Sequence, residues 1–99
     1  MQKYQVMVRG RNLLKRVGDG SPRLGFYCNV FVEASTPADA ADRAVGIVRE
    51  DAHLLEMTVN AGNDPVHFSS EEVRVIESFD GLRLPRQGLI FYPEKSKEA

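Results

Sequence analysis

This chain of 99 residues has one cysteine, no long apolar segment and a net charge close to zero. The single cysteine cannot form an internal disulfide, which fits a reducing compartment. No apolar run approaches the roughly 20 residues that a helix needs to cross a bilayer, so we expect no membrane partner. The opening residues also lack the apolar stretch of a secretory signal. Together these absences predict a cytoplasmic protein.

The composition is that of an ordinary globular domain. Apolar residues make up 42% of the chain and charged residues 27%, which excludes disordered and fibrous classes. Domains typically hold roughly 100–150 residues, so the length allows one. We expect a single domain over residues 1–94 and a disordered polar tail over residues 95–99.

Charge is unevenly distributed along the chain although the net charge is only −1. Residues 1–32 carry six basic residues and one acidic residue, whereas residues 33–80 carry eleven acidic and three basic residues. This asymmetry could steer an anionic ligand, draw two copies of the chain together, or simply keep the surface soluble. The near-neutral total gives nucleic-acid binding no support.

A period of two in the first third of the chain predicts a β-hairpin. Apolar residues alternate over residues 4–15 and again over residues 24–34, which is the spacing of one strand face. Residues 18–22 read Gly-Asp-Gly-Ser-Pro, a composition typical of a chain reversal. The two segments are therefore expected to pair as antiparallel strands.

Matching the apolar positions across the hairpin predicts its register. A slip of one residue would turn one apolar set to the wrong face, so the apolar sets must oppose each other. Cys28 then faces the core as a small buried thiol rather than a nucleophile. The predicted pairs are Leu14 with Phe26, Asn12 with Cys28, Gly10 with Val30, Val8 with Val32 and Val6 with Ala34.

A helix is predicted directly after the hairpin. Thr36 can cap it, Pro37 suits its first position, and Asp39 completes a capping box. The helix is expected to end near Asp51. Its apolar stripe consists of Ala41, Ala44, Val45 and Val48.

The second half of the chain has weaker patterns. Alternation over residues 55–60 predicts a short strand. Residues 66–79 fit either a strand or a short helix capped near Ser69, and the β-branched Val73 and Val75 favour a strand over residues 72–78. Residues 89–92 form a last short extended segment.

These elements predict an α+β fold, a two-layer sandwich with a mostly antiparallel β-sheet and one main helix on one face. The order is β-β-α-β-β with a candidate short fifth strand. The first face of the sheet, which carries Val6 and Val8, packs against the helix. The opposite, second face should be mostly polar if it meets solvent, yet four of its seven assigned residues are large and apolar. These residues are Met7, Arg9, Arg11, Leu13, Tyr27, Asn29 and Phe31.

Three things could cover the second face: a second copy of the chain, the segment at residues 89–92, or a ligand, in that order of preference. Arginine and tyrosine are enriched at protein interfaces, although Arg9 beside Phe31 could also be local packing. We therefore predict an interaction module that forms a homodimer. Alternatively, Arg9, Arg11, Tyr27 and Phe31 would bind single-stranded nucleic acid or a small anionic ligand.

The sequence contains no recognisable catalytic or metal-binding pattern, so we expect neither enzymatic activity nor a cofactor. His53 and His67 are fourteen residues apart, which is not a spacing of metal ligands. Glu71 and Glu72 are neighbours on the predicted strand and point apart, so they do not form an acid–base pair.

Four short segments carry a resemblance that covers most of the chain. They are Arg9-Gly10-Arg11-Asn12, Gly25-Phe26-Tyr27, Phe31-Val32-Glu33-Ala34 and Phe91-Tyr92-Pro93-Glu94. In these segments the chain resembles a group of small uncharacterised bacterial proteins of similar length. The resemblance implies a bacterial, soluble, single-domain protein, and it transfers no catalytic or binding residue.

Overall fold

A computed structural model describes residues 1–14 and 23–94 as an open antiparallel sheet with two helices. The predicted chain reversal at residues 18–22 and the predicted tail at residues 95–99 lie outside the described residues. The α+β class is confirmed. In chain order the elements are β1 (Gln2–Leu13), β2 (Leu24–Ala34), α1 (Pro37–Arg49), α2 (Ala52–Met57), β3 (His67–Ile76) and β4 (Ile90–Pro93).

The strands lie in the order β3-β1-β2-β4, so the hairpin strands occupy the centre of the sheet. The hairpin is antiparallel as predicted, but the predicted register is wrong. Val8 pairs with Cys28 and Val6 with Val30, which displaces each partner by four residues from the prediction. An even displacement leaves every side chain on its predicted face, so apolar matching alone cannot detect it.

A β-bulge near the end of β1 overturns the prediction for Leu13. The pairing with β2 shifts between Gly10 and Leu13, and Asn12 has a φ of 64°, a conformation that asparagine tolerates better than most residues. After the bulge, an odd-numbered residue of β1 faces the core, whereas before it the even-numbered residues do. Leu13 is consequently buried in the core with no exposed surface, not on the second face.

Helix α1 begins at the predicted residue, but only the Thr36 half of the predicted capping box forms, because the Asp39 carboxylate accepts a hydrogen bond from Arg43 at 3.2 Å. Pro37 is its first residue, and the Thr36 hydroxyl accepts a hydrogen bond from the Asp39 N–H at 3.1 Å. The helix ends at Arg49, close to the predicted end at Asp51. Its fully buried residues are Ala40, Ala44 and Val48.

The predicted strand at residues 55–60 is wrong, because residues 55–57 belong to α2 and residues 58–60 follow its end without forming a strand. The Asp51 carboxylate caps this helix by accepting a hydrogen bond from the Leu54 N–H at 3.0 Å. Leu54 is buried, whereas its neighbour Leu55 is 59% exposed. The cap at Asp51 and the burial of Leu54 therefore outweighed a short alternation of apolar residues.

The last two strands are confirmed as elements, but β3 begins five residues before the predicted range of 72–78 and ends two residues before its end. Residues 67–76 form strand β3 rather than a helix, and residues 90–93 form β4 against the outer edge of β2. The segment at residues 89–92 therefore extends the sheet instead of folding back across it.

One core lies between the first face and both helices. Phe26 is fully buried and lies over Gly10 of the neighbouring strand, where any added side chain would collide with the ring. Its edge contacts with Phe68 and Phe91 have centroid separations of 6.2 and 6.1 Å. The buried cluster also contains Tyr4, Val6, Val8, Leu13, Cys28, Val30, Val32, Ala34, Ala40, Ala44, Val48 and Leu54.

Both helices are also too short and too polar to span a bilayer, and the described residues include no other helix.

Candidate interaction surface

The second face presents one continuous row of side chains across all four strands. Ser69 on β3 pairs with Arg9 on β1, Arg9 pairs with Tyr27 on β2, and Tyr27 pairs with Ile90 on β4. Residues paired directly across antiparallel strands share a face. Both helices contribute to the core on the first face, and Ile90 is 68% exposed. The row therefore ends in a large apolar side chain in contact with solvent.

Tyr27, which belongs to this row, stacks on Tyr92, which lies beside the row on the same face. The Tyr27 and Tyr92 rings have centroids 5.5 Å apart and planes inclined by 30°. Tyr92 pairs with Gly25, and its ring occupies the space that a side chain at Gly25 would need. The glycine thus lets the ring lie directly on the backbone of β2.

Arg9 joins the two tyrosines into a cluster. Its Nε donates a hydrogen bond to the Tyr92 hydroxyl at 2.7 Å. Its guanidinium carbon lies 5.5 Å from the Tyr27 ring centroid and 5.6 Å from the Tyr92 centroid, within the range of a cation–π contact. The hydrogen bond to Tyr92 is the main cause that raises the pKa of Arg9. Arg9, Tyr27 and Tyr92 are called the tyrosine–arginine cluster below.

An acidic side chain accompanies the second arginine of the face. The Arg11 guanidinium lies 3.8 Å from the Glu71 carboxylate. The Ser69 hydroxyl donates a hydrogen bond to the same carboxylate at 2.8 Å. The face therefore carries both signs of charge, and its arginines already have partners within the chain.

Five of the seven residues predicted for this face lie there with partial or full exposure: Met7, Arg9, Arg11, Tyr27 and Asn29. Leu13 was shown above to be in the core.

The prediction that Phe31 is available on the second face is also wrong, since only 4% of its surface is exposed. Strands β3 and β4 lie at opposite edges, so their connection must cross the sheet. Its last part runs beside β2, where the Phe31 N–H donates to the Pro85 carbonyl at 2.8 Å and the Gln87 N–H donates to the Asn29 carbonyl at 3.0 Å. Because the hairpin register differs from the prediction by four residues, Arg9 lies opposite Tyr27 rather than Phe31.

Ile90 and Tyr92 also belong to this surface, although they were not among the residues predicted for it. Both lie in the segment at residues 89–92, which was predicted to be extended because it is a short apolar run. The pattern held no information about which sheet edge the strand would join. Only the pairing of β4 with β2 brings Tyr92 over Gly25 and Ile90 beside Tyr27.

The residues considered for other chemistry do not form a second site. Cys28 is buried as predicted, and burial is the main cause that raises the pKa of its thiol, which makes it a poor nucleophile at neutral pH. His53 and His67 are exposed. Within residues 1–14 and 23–94, no three His, Cys, Asp or Glu side chains are grouped as metal ligands would be.

Comparison with known proteins does not add a candidate function. The chain matches no protein family model, no curated protein and no solved structure. The chemistry of the exposed surfaces is therefore the basis for inferring a function.

Proposed function

We propose that the protein is a cytoplasmic interaction module that forms a homodimer through the second face of its sheet. The observation that carries the proposal is the exposed Ile90 beside the partly exposed rings of Tyr27 and Tyr92 on the face opposite both helices. Tyrosine and arginine anchors surrounded by apolar area are typical of the energetically dominant centre of an interface.

Charge on the second face supports self-association. Arg11 and Glu71 lie together on it, and Glu72 is paired with Met7 on the same face. A two-fold dimer brings the same surface of both copies together. A face with both signs of charge can oppose itself without the repulsion that a uniformly basic face would produce.

The same charges weigh against the alternative of single-stranded nucleic acid or a small anion. Binding phosphates requires free cationic side chains that release counterions. Arg9 already donates to Tyr92, and Arg11 lies beside Glu71, whose carboxylate would repel a phosphate. Stacking on Tyr27 is also limited, because one side of its ring meets Tyr92.

The cytoplasmic assignment rests on Cys28. A lone buried thiol suits a reducing compartment, where thiols stay reduced. The bacterial origin implied by the resemblance and the absence of enzymatic activity remain predictions.

Sedimentation velocity over a range from low to high micromolar protein tests the dimer. We expect the wild-type chain to sediment as a dimer at the upper end. Ile90→Glu places a charge within the apolar part of the proposed interface, so the dimer dissociation constant should rise at least about tenfold, equivalent to about 1.4 kcal/mol. Leu55→Glu is the matched control, because Leu55 is similarly exposed on the helical side.

A monomer throughout the range would refute the proposal. Equal weakening by Ile90→Glu and Leu55→Glu would refute the choice of face. Retention of a labelled single-stranded oligonucleotide at low salt, lost in Arg9→Gln, would favour the nucleic-acid alternative instead.

A further inference from the structure

A second concave surface lies on the helical side of the molecule, at the junction of α2 and the start of β3. It is a cavity of about 370 Å³, within the size range of small-molecule sites. Its walls are mainly apolar, and its principal residues are Arg49, Leu54, Leu55, Pro65, Val66 and Phe68.

The polar side chains in the wall use their hydrogen-bonding groups elsewhere. The Thr58 hydroxyl donates to the Leu54 carbonyl at 2.6 Å. The Asn60 amide accepts from the Leu14 N–H at 2.8 Å and donates to the carbonyls of Asn12 and Asp64 at 2.7 and 2.8 Å. These two side chains therefore offer an incoming ligand no free hydrogen-bond donor.

Arg49 is the one charged residue among residues 1–14 and 23–94 that lines this cavity. Its guanidinium carbon lies 5.5 Å from the centroid of the Phe68 ring. Among the residues that the structure describes, no carboxylate forms an ion pair with it. Arg43 on the same helix differs, because it is paired with Asp39 at 3.2 Å. As far as the described part of the chain is concerned, the cavity thus combines mainly apolar walls with one cation that lacks a counter-charge.

From this combination we infer that the cavity binds an amphipathic monoanion, namely a carboxylic acid with a medium-length apolar chain or a single ring. The carboxylate would accept hydrogen bonds from the guanidinium of Arg49, the geometry for which arginine is best suited. The apolar part would lie against Val66 and Phe68. A dianion or a phosphate finds one cation and apolar walls, so these ligands fit less well.

Titration with octanoate tests the inference, with octan-1-ol as the neutral probe of the same chain length. Amide ¹H–¹⁵N spectra should shift at Leu55, Ala61 and Val66. The octanoate affinity should exceed that of octanol by about tenfold, since hydrogen bonds to a charged group contribute about 1.5–3 kcal/mol. Equal affinities for the two probes, or shifts that do not map to the cavity, would overturn it.

Two variants test separately the contribution of the Arg49 charge and that of the space inside the cavity. Arg49→Gln should weaken octanoate about tenfold and leave octanol unchanged, whereas the control Arg43→Gln should leave both unchanged. Ala61→Phe, at the exposed wall, should fill the cavity and weaken both probes. An octanoate affinity that Arg49→Gln and Ala61→Phe both leave intact would contradict the inference.

The cavity does not depend on the proposed dimer. Octanoate should bind equally well to Ile90→Glu, because Ile90 lies on the opposite side of the sheet. Failure of the dimer and failure of the acid site can therefore be distinguished in the same set of samples.

Discussion

Each face of the sheet has an aromatic ring laid over a glycine of the neighbouring strand. On the first face Phe26 covers Gly10, and the ring is fully buried between Phe68 and Phe91. On the second face Tyr92 covers Gly25 and stays partly exposed. The same backbone arrangement therefore supports a core on one side and a surface on the other.

The difference between the two pairs lies in what is packed above them. Helices α1 and α2 close the first face, so Phe26 gains the full hydrophobic contribution of burial, about 1.5–3 kcal/mol for a side chain of this kind. Tyr92 instead orients its hydroxyl toward Arg9 and leaves part of its ring exposed. The exposed part of the Tyr92 ring can therefore pack against the surface of a partner.

The largest expected difference between the two faces is in the stability lost when Phe26 or Tyr92 is truncated to alanine. Phe26→Ala leaves a cavity in the core and should lower the free energy of unfolding by about 3–5 kcal/mol. Tyr92→Ala removes a stack and one hydrogen bond, so it should cost about 1–2 kcal/mol. Urea denaturation followed by circular dichroism measures both, and Tyr92→Phe isolates the hydroxyl.

A cost for Tyr92→Ala as large as that for Phe26→Ala would show that the second face is packed like a core. A cost that grows with protein concentration would instead be the signature of the dimer, because association adds to the stability of the folded state.

Adding a methyl group beneath each ring gives the next largest effect. Gly10→Ala pushes against Phe26, which neighbours on both sides hold in place, so we expect a loss of about 1–3 kcal/mol. Gly25→Ala pushes against Tyr92, whose ring can swing toward solvent at a smaller cost. Thermal unfolding of the two variants measures the contrast, and equal losses would contradict it.

The smallest predicted effect concerns the segment that crosses between the sheet edges. Arg86 in this segment donates to the Asp51 carboxylate at 2.8 Å, and this bond is the main cause that lowers the pKa of Asp51. A carboxyl whose pKa is lower in the folded state stabilises the fold above its unfolded pKa and loses that contribution as the pH falls through its folded pKa.

We therefore expect Asp51→Asn to reduce the difference in stability between neutral and strongly acidic pH. Urea denaturation at both pH values measures this difference. Glu56→Gln serves as a control, because Glu56 is an exposed acid on α2, the helix that Asp51 caps. An unchanged acid dependence in Asp51→Asn would show that the ion pair does not hold the crossing segment to α2.

Local patterns in the chain were sufficient to predict which face most hairpin residues occupy and where α1 begins. The period of two and the cap at Thr36 depend on neighbouring residues only. The candidate surface was therefore predicted in outline, with Arg9, Arg11 and Tyr27 on it. Residues 55–60 were misjudged because a six-residue alternation is too short to outweigh a cap from Asp51 and one buried leucine.

Everything that depends on distant residues was decided by tertiary structure. The hairpin register differs from the prediction by four residues, and no face-based criterion can detect an even shift. The bulge at Asn12 removed Leu13 from the second face. Phe31 is buried at the place where the segment that connects β3 with β4 runs beside β2. Tyr92 reached the surface only because β4 joined the edge of β2. Side-chain alternation specifies faces, whereas strand neighbours depend on pairing energies between segments far apart in the chain.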